Sequence, residues 1–324
     1  MTAMTAPTAP APPPPDPKIL DGKKVAAAIR REAAAEAALL TAGGHQPGLS
    51  VILVGDDPAS AVYVRGKETA AREAGIREQT LRFPATMTEG ELLTAIDGLN
   101  RDDAVDGILV QLPLPKGIST QRILEAVDPR KDADGFHPFN TGRLVQGKPA
   151  PVPCTPAGIM EMLRREGIAL AGLRAVVVGR SDIVGKPMAS LLLAAHCTVT
   201  IAHSRTRDLS GVCREADLLV AAIGRAGLVT GDYVKEGAIV VDVGMNRIDR
   251  AEDVARFFPG DAAREAAFRK NGSVLMGDCD PSTVPSRASR YTPVPGGVGP
   301  LTIAMLISNT VNLAKARRPA QGAA

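Results

Sequence analysis

The sequence has no uninterrupted apolar run that approaches the ~20 residues needed to cross a bilayer, so we expect no membrane partner. It also has little excess charge: the formal net charge is +3, and the basic residues are spread along the chain. This distribution argues against nucleic acid as a partner. The N-terminus lacks the basic segment and the continuous apolar segment of a secretory signal. We therefore expect a cytoplasmic location.

Cysteine and histidine are scarce, with four of each in 324 residues. The cysteines form no C-x-x-C pair and the histidines form no H-x-x-x-H or H-E-x-x-H pattern, so we expect reduced thiols and no bound metal. Large apolar residues are missing from residues 1–17, which are almost all Ala, Pro and Thr, and this extension is predicted to be disordered or polyproline-like. The rest of the chain is long enough for two domains.

Apolar runs in the first half of the chain predict buried strands at 49–54 and 107–110, with a short strand at 81–84. Helices are expected at 22–42 on the surface, from about residue 60, at 89–100 and at 119–127.

Tyr63 and Lys67 are four residues apart in the second of these helices and therefore share one of its faces. An aromatic ring and an amine in this arrangement could stack on a planar ligand and handle a proton, although such a pair is more often an ordinary helix surface. Gln111 follows a strand directly, and ligands of open α/β sheets lie beyond the carboxyl ends of strands. Asp134 lies on a polar loop and carries no assignment by itself.

A strand, a glycine turn and a helix at 173–187 resemble the first unit of a dinucleotide-binding domain. Gly179 and Gly185 keep the outer spacing of G-x-G-x-x-G, but Ser181 takes the middle position. The next strand, at 198–202, lacks the acidic residue that binds a ribose hydroxyl, and Ser204 and Arg205 follow it instead. A hydroxyl and a guanidinium favour a 2′-phosphate, hence NADP, while a solvated Arg205 is the plain alternative.

Two further helices are predicted to join the halves of the chain. Thr155 as N-cap and Pro156 at the first helical position predict a helix to about Arg165. In the segment 292–300, two prolines, Pro293 and Pro295, precede three glycines that let the backbone approach a ligand, and an apolar helix at 301–314 follows. We expect a cleft between two lobes.

Six separated motifs together carry a family resemblance, in order from about residue 19 to residue 316: YVRGK, VQLPLP, KDADGFHPFNTGRL, PCTPAGI, GRSDIVGKP and TPVPGGVGPLT. They resemble the bifunctional methylenetetrahydrofolate dehydrogenase/cyclohydrolase family of the bacterial FolD type. The resemblance implies an α/β fold with an N-terminal α/β catalytic lobe and a Rossmann-like dinucleotide-binding lobe, joined by two long helices with a cleft between them. It places the folate-binding catalytic domain at 18–154 plus 300–318, and the NADP-binding domain at 155–299.

The resemblance also implies the chemistry and the site. Family members oxidise 5,10-methylenetetrahydrofolate with NADP and then hydrolyse the methenyl product to 10-formyltetrahydrofolate, and a homodimer is expected. By position, Lys67 matches the catalytic lysine, Tyr63 the residue that stacks on folate, Gln111 the partner of the lysine and Asp134 the carboxylate that binds the pterin edge. The remaining expected substrate contacts are Val110, Leu112, Pro295, Gly296, Gly297, Val298 and Gly299. The expected cofactor contacts are Gly179, Arg180, Ser181, Ser204, Arg205 and Met245.

Several alternatives stay open at this point. They are a monofunctional or NAD-dependent methylenetetrahydrofolate dehydrogenase, an enzyme similar to shikimate or amino-acid dehydrogenases, and a binding protein without catalysis. The chain also departs from the family pattern, because the segment between Asn246 and Gly277 is about 20 residues longer than expected. We expect this extra segment to form a surface excursion near the cofactor lobe.

Overall fold

A computed structural model describes residues 16–318. The first half of the chain contains α1 (Gly22–Ala42), β1 (Gly48–Val54), α2 (Pro58–Glu73), β2 (Arg77–Phe83), α3 (Glu89–Arg101), β3 (Gly107–Val110), α4 (Thr120–Ala126) and α5 (Pro138–Val145). The second half contains α6 (Cys154–Arg165), β4 (Arg174–Val178), α7 (Gly185–Ala194), β5 (Thr198–Ala202), α8 (Leu209–Arg214), β6 (Leu218–Ala221), β7 (Ile239–Asp242), β8 (Asn246–Ile248), α9 (Ala251–Phe257), α10 (Ala262–Asn271), β9 (Val274–Met276), α11 (Val284–Arg287), β10 (Arg290–Tyr291) and α12 (Val298–Arg317).

The first lobe is built on a parallel sheet with the strand order β2-β1-β3. β1 and β3 are buried along their whole length, as their continuous apolar runs predict. β2 begins at Arg77, four residues before the predicted start, and most of its residues are partly or fully exposed. An edge strand needs no continuous apolar run, which is why sequence patterning found only its last part.

The second lobe is built on a parallel sheet with the strand order β10-β7-β6-β4-β5. Apolar runs in the second half of the chain predict strands at 175–178, 198–202, 218–222 and 238–244, and all four are confirmed, whereas the two-residue strand β10 was missed. β10 pairs with β7, and its Tyr291 also forms a bridge with Ile19. An element this short is fixed by distant partners and has no local pattern of its own.

α12 and α6 connect the two lobes as predicted. The first turns of α12 pack in the core of the second lobe through Val298, Leu301 and Ala304, whereas Leu306 and Ile307 pack in the core of the first. The predicted N-cap of α6 is wrong. Its N-cap is Pro153, without a side-chain cap, and the Thr155 hydroxyl bonds instead to the Thr302 hydroxyl of α12 at 2.8 Å.

α1 is a third connecting helix, which corrects the expectation of a surface helix. Val25, Ala26 and Ile29 lie in the core of the second lobe, and Ala33 and Ala37 lie in the core of the first. Alanine at the buried positions allows α1 to lie closely along α12, because small side chains keep the two backbones near each other. The alanine-rich composition therefore reflects helix packing as well as helix propensity.

The extra segment between Asn246 and Gly277 folds as a small unit on the second lobe. β8 and β9 form an antiparallel pair, and α9 and α10 lie between them in sequence. Its own apolar cluster contains Ile248, Val254, Phe257, Phe258, Val274 and Met276.

The predicted disorder of residues 1–17 concerns a stretch that lies, except for Asp16 and Pro17, outside the described residues. No helix within residues 16–318 is long and apolar enough to cross a bilayer.

Candidate active site

The helix α2 carries the predicted tyrosine and lysine. Its N-cap is Asp57, whose carboxylate accepts the Ser60 N–H at 2.7 Å, and proline occupies the first turn. Lys67 is buried, with 6% of its surface exposed, whereas Tyr63 is partly exposed. Burial raises the pKa of the Tyr63 hydroxyl above its usual value. One helical turn therefore presents an amine shielded from water and a ring that remains accessible.

Gln111 lies at the carboxyl end of β3 and contacts the buried amine. The Lys67 Nζ donates to the Gln111 Oε1 at 3.0 Å, and the Gln111 Nε2 donates to the Leu112 carbonyl at 2.7 Å. The backbone N–H of Gln111 donates to the Ile52 carbonyl at 2.8 Å, which continues the sheet by one residue. Because both ends of the amide have a partner, its oxygen is directed at the amine and supplies an acceptor without a charge.

Asp134 lies next to this pair on the loop after α4. Burial raises the pKa of the Asp134 carboxyl above its usual value, the nearby charge of Lys67 acts in the opposite direction, and the Asp132 carboxylate raises it further. The Cys154 thiol lies against the same carboxyl and donates to the Ala133 carbonyl at 3.5 Å. The structure thus brings Lys67, Gln111 and Asp134 together, as the sequence predicts.

A cavity of about 840 Å³ lies between the lobes beside α2. Tyr63, Met245 and the loop 293–300 line it, and the Tyr63 hydroxyl donates to the Met245 sulfur across the cleft. The predicted substrate contacts Pro295, Gly296, Gly297, Val298 and Gly299 are all on the lining. The predicted contacts Lys67, Val110, Gln111, Leu112 and Asp134 are not on it. The site therefore has two adjoining parts, an open cleft and a buried polar cluster, which meet at α2.

The loop 293–300 is held against the start of α1. A Cβ at Gly22 would overlap the Gly297 carbonyl oxygen, and the Lys23 N–H donates to the Gly296 carbonyl at 3.2 Å. Gly296 has a φ of +112°, which favours glycine. The backbone of this loop can therefore approach a ligand closely, as the glycines predict.

Five of the six predicted cofactor residues lie at the carboxyl ends of β4 and β5, and the sixth, Met245, follows β7. A Cβ at Gly179 would overlap the Ala222 carbonyl oxygen, and one at Gly185 would overlap the Gly179 carbonyl oxygen, so the two glycines allow close packing of strand, loop and helix. The Ser181 hydroxyl accepts the N–H groups of Val184 and Gly185 at 3.2 and 3.3 Å, and so occupies the start of α7. The side chains of Arg180, Ser204 and Arg205 are exposed here. Of these six predicted contacts, Met245 lines the cavity between the lobes and the other five do not.

Two family models match the chain: the tetrahydrofolate dehydrogenase/cyclohydrolase catalytic domain at residues 20–134 and the NAD(P)-binding domain of the same family at residues 153–318. The chain belongs to the tetrahydrofolate dehydrogenase/cyclohydrolase family. It is 58% identical over 300 residues to the bifunctional protein FolD of Koribacter versatilis (strain Ellin345), covering 93% of this chain and 97% of the relative.

Solved structures agree with this assignment. The FolD methylenetetrahydrofolate dehydrogenase/cyclohydrolase of Campylobacter jejuni has a TM-score of 0.84 and 45% identity, covering 92% of this chain and 99% of the other. The Trypanosoma brucei FolD, solved with NADP and an inhibitor, has a TM-score of 0.83 and 39% identity, covering 93% of this chain and 98% of the other. The expected two-domain fold, the bifunctional dehydrogenase/cyclohydrolase function and the nicotinamide dinucleotide cofactor are confirmed, and the alternative enzymes are not favoured.

Two buried carboxylates in the NAD(P)-binding domain of this dehydrogenase/cyclohydrolase were missed by sequence reasoning. Asp278 accepts the N–H groups of Ile223, Gly224 and Arg225 at 2.6, 2.9 and 2.8 Å, which fixes the loop after β6. Asp242 accepts the N–H of Gly244 at 2.9 Å and two further N–H groups, and burial raises the pKa of Asp242 to about 7. These carboxylates shape the cofactor side of the cleft through backbone contacts.

Asn309 is a third missed residue, on the folate side. Its Nδ2 donates to the carbonyls of Ala133 and Val152, both at 3.0 Å, and so fixes the loop that carries Asp134 to α12. The signal in the sequence is an amide between Ser308 and Thr310 in the middle of a long helix, since a polar side chain that becomes buried needs a partner. The partners themselves are more than 150 residues away and leave no local pattern.

Proposed function

We propose that this enzyme oxidises 5,10-methylenetetrahydrofolate with NADP and then hydrolyses the methenyl product to 10-formyltetrahydrofolate, with Lys67 as the group that handles protons. The observation that carries this proposal is the buried Lys67 amine, hydrogen-bonded to the neutral oxygen of Gln111 at 3.0 Å and adjacent to Asp134. Within residues 16–318 the Lys67 amine forms no ion pair, and its hydrogen-bond acceptor is the neutral Gln111 oxygen, an arrangement that suits a group that transfers protons.

The two parts of the site suit the two steps of the reaction. Hydride transfer needs no acid or base and depends on holding the two reactants face to face, so the cleft lined by Tyr63 and the loop 293–300 serves this step. In this proposal Tyr63 stacks on the folate ring and Asp134 binds the pterin edge. Hydrolysis needs proton transfer, and the buried Lys67 next to the cleft supplies it.

The residues at the ends of β4 and β5 support NADP as the preferred cofactor. These residues would hold the nucleotide, whose nicotinamide would supply the hydride acceptor. Arg180 follows β4, Ser204 and Arg205 follow the neighbouring strand β5, and all three side chains are exposed. Within residues 16–318 neither arginine has an acidic partner within ion-pair distance. No carboxylate replaces them at the end of β5, so the surface offers charge to a 2′-phosphate and nothing specific to a ribose hydroxyl.

Initial rates with NADP and NAD test the cofactor proposal. For Arg205→Ala we expect KM for NADP to rise about 10- to 100-fold, since a charge-assisted hydrogen bond is worth about 1.5–3 kcal/mol, while KM for NAD stays within about twofold. Arg174→Ala is the matched control, because Arg174 is an exposed arginine at the opposite end of β4. Equal rises for both nucleotides, or a preference of the native enzyme for NAD, would contradict the proposal.

The domain bounds, the location and the oligomeric state of the enzyme also belong to this proposal. We place the catalytic domain at 18–154 plus 300–318 and the NADP-binding domain at 155–299, supported by the packing of the last turns of α12 in the first lobe. A cytoplasmic location is supported by four buried cysteines that are all free thiols. A homodimer is expected from the family, and sedimentation velocity of the purified enzyme tests it.

A further inference from the structure

The extra segment of this chain contacts loops on both sides of the cleft. On the cofactor side, the Phe257 ring of α9 packs against Gly227 in the loop after β6, so closely that a Cβ at Gly227 would overlap the ring. On the substrate side, Arg264 of α10 reaches the loop 293–300. The segment therefore does more than extend from the surface, which was the expectation from the sequence.

Arg264 bridges the segment and the substrate loop with the two ends of its guanidinium group. Its Nη1 donates to the Leu275 carbonyl at 2.7 Å, and its Nη2 donates to the Val294 carbonyl. The guanidinium lies 4.6 Å from the centre of the Phe258 ring, and the Asp261 carboxylate accepts the Arg264 N–H at 3.0 Å and caps α10. Helix, ring and two carbonyls thus fix the orientation of the side chain.

Val294 is the point at which the substrate loop can be held. It lies between Pro293 and Pro295, neither of which has an N–H to donate, and directly before Pro295–Gly299 on the cavity lining. Few backbone bonds are available to the loop: the Gly297 N–H donates to the Pro293 carbonyl at 2.8 Å, and the Gly296 carbonyl accepts from Lys23. A charged donor on the Val294 carbonyl is therefore a large part of what fixes the loop in place.

We propose that Arg264 is a positioning residue for the folate reaction, acting through the Val294 carbonyl on the backbone of Pro295–Gly299. This inference rests on the proposed function for its kinetic effect but not for its structural effect. The guanidinium donates to the Leu275 and Val294 carbonyls and not to the cofactor loop 179–181 or to Lys67, Gln111 or Asp134, so we expect its main effect on the substrate side of the cleft.

Amide hydrogen exchange and steady-state kinetics of three variants test the proposal. Arg264→Met removes the donors but keeps most of the side-chain length, Arg264→Lys keeps one charged donor, and Arg269→Met is the matched control. Arg269 is an exposed arginine on α10 that forms an ion pair with Glu265. For Arg264→Met we expect faster exchange at Gly296–Gly299 and a KM for methylenetetrahydrofolate raised about tenfold or more, because the lost bond is charge-assisted.

The expected pattern of KM values distinguishes a positioning role of Arg264 on the substrate loop from a general loss of rigidity in the domain. KM for NADP should stay within about twofold, Arg264→Lys should recover part of the folate KM, and Arg269→Met should match the native enzyme. Unchanged exchange at Gly296–Gly299 in Arg264→Met, or equal rises in both KM values, would overturn the proposal. If Arg264→Met does not fold, the same comparison is made with Arg264→Gln, whose amide carries no charge, and native exchange together with a native folate KM would overturn the proposal. The exchange result stands even if the native enzyme lacks the proposed activity.

Discussion

Replacing Lys67 by Met gives the sharpest test of the site. The substitution removes the amine from the Gln111 oxygen, 3.0 Å away, and leaves a side chain of similar length in a position that is 6% exposed. Proton transfer by a positioned group contributes about 10²–10⁴-fold to a rate, which corresponds to about 3–5 kcal/mol of activation free energy. We therefore expect cyclohydrolase activity to be abolished within the limit of a standard assay.

The dehydrogenase step should fall severely as well, but for a different reason. Hydride transfer depends on the position of the folate ring, and Lys67 lies beside Gln111 and Asp134, which are proposed to fix that position. Loss of the amine leaves the Gln111 oxygen without its donor, at a cost of about 1–3 kcal/mol, and the removed desolvation of a charge offsets part of this. The fold should therefore survive, and Lys67→Gln should show the same kinetic pattern.

Absorbance of reduced nucleotide measures the first step, and consumption of the methenyl product measures the second. Lys24→Met is the matched control, because Lys24 is exposed on α1 and does not line the cavity. A thermal unfolding curve confirms that each variant is folded. A folded Lys67→Met enzyme that keeps native cyclohydrolase activity would refute the assignment of the proton-handling group.

Three further changes test the supports of the site. Asn309→Leu should unfold at lower urea concentration, with a loss of about 1–3 kcal/mol, because two buried carbonyls lose their donor. Gly179→Ala should weaken NADP binding, as measured by titration, since the added Cβ would overlap the Ala222 carbonyl oxygen and the φ of Gly179 is +134°. Burial raises the pKa of Asp242 from 3.8 to about 7, so the native state holds this proton more tightly than the unfolded state does. The free energy of unfolding, measured by urea titrations at each pH, should therefore fall by up to about 4 kcal/mol between about pH 4 and pH 7. An Asp242→Asn variant should lose that slope.

The sequence predicted the elements whose pattern is local. Continuous apolar runs located β1, β3, β4, β6 and β7, because a strand buried on both faces needs apolar residues throughout. Sequence patterning failed where the structure of an element depends on contacts with a distant part of the chain. β2 is half exposed at a sheet edge, β10 has two residues paired to distant strands, and the buried faces of α1 depend on α12.

The same distinction holds for the candidate site. The family resemblance implied that Lys67, Gln111 and Asp134 belong to one site, although their separation from the cavity lining was not foreseen. Asp278 and Asn309 were missed because each acts on backbone groups 53 or more residues away, and the positions of those groups follow from the tertiary fold alone. A buried polar residue in an apolar segment signals only that some partner exists.

The long helix α12 explains how the two halves of the site keep their distance. Gly299, at its start, lies on the cavity lining, and Asn309, farther along, holds the loop of Asp134. At 1.5 Å per residue these positions are about 15 Å apart on one rigid element. Because α1 and α6 also pack in both cores, a hinge between the lobes would have to bend three helices together. The separation between the open cleft and the buried cluster of Lys67, Gln111 and Asp134 is therefore fixed by helix packing.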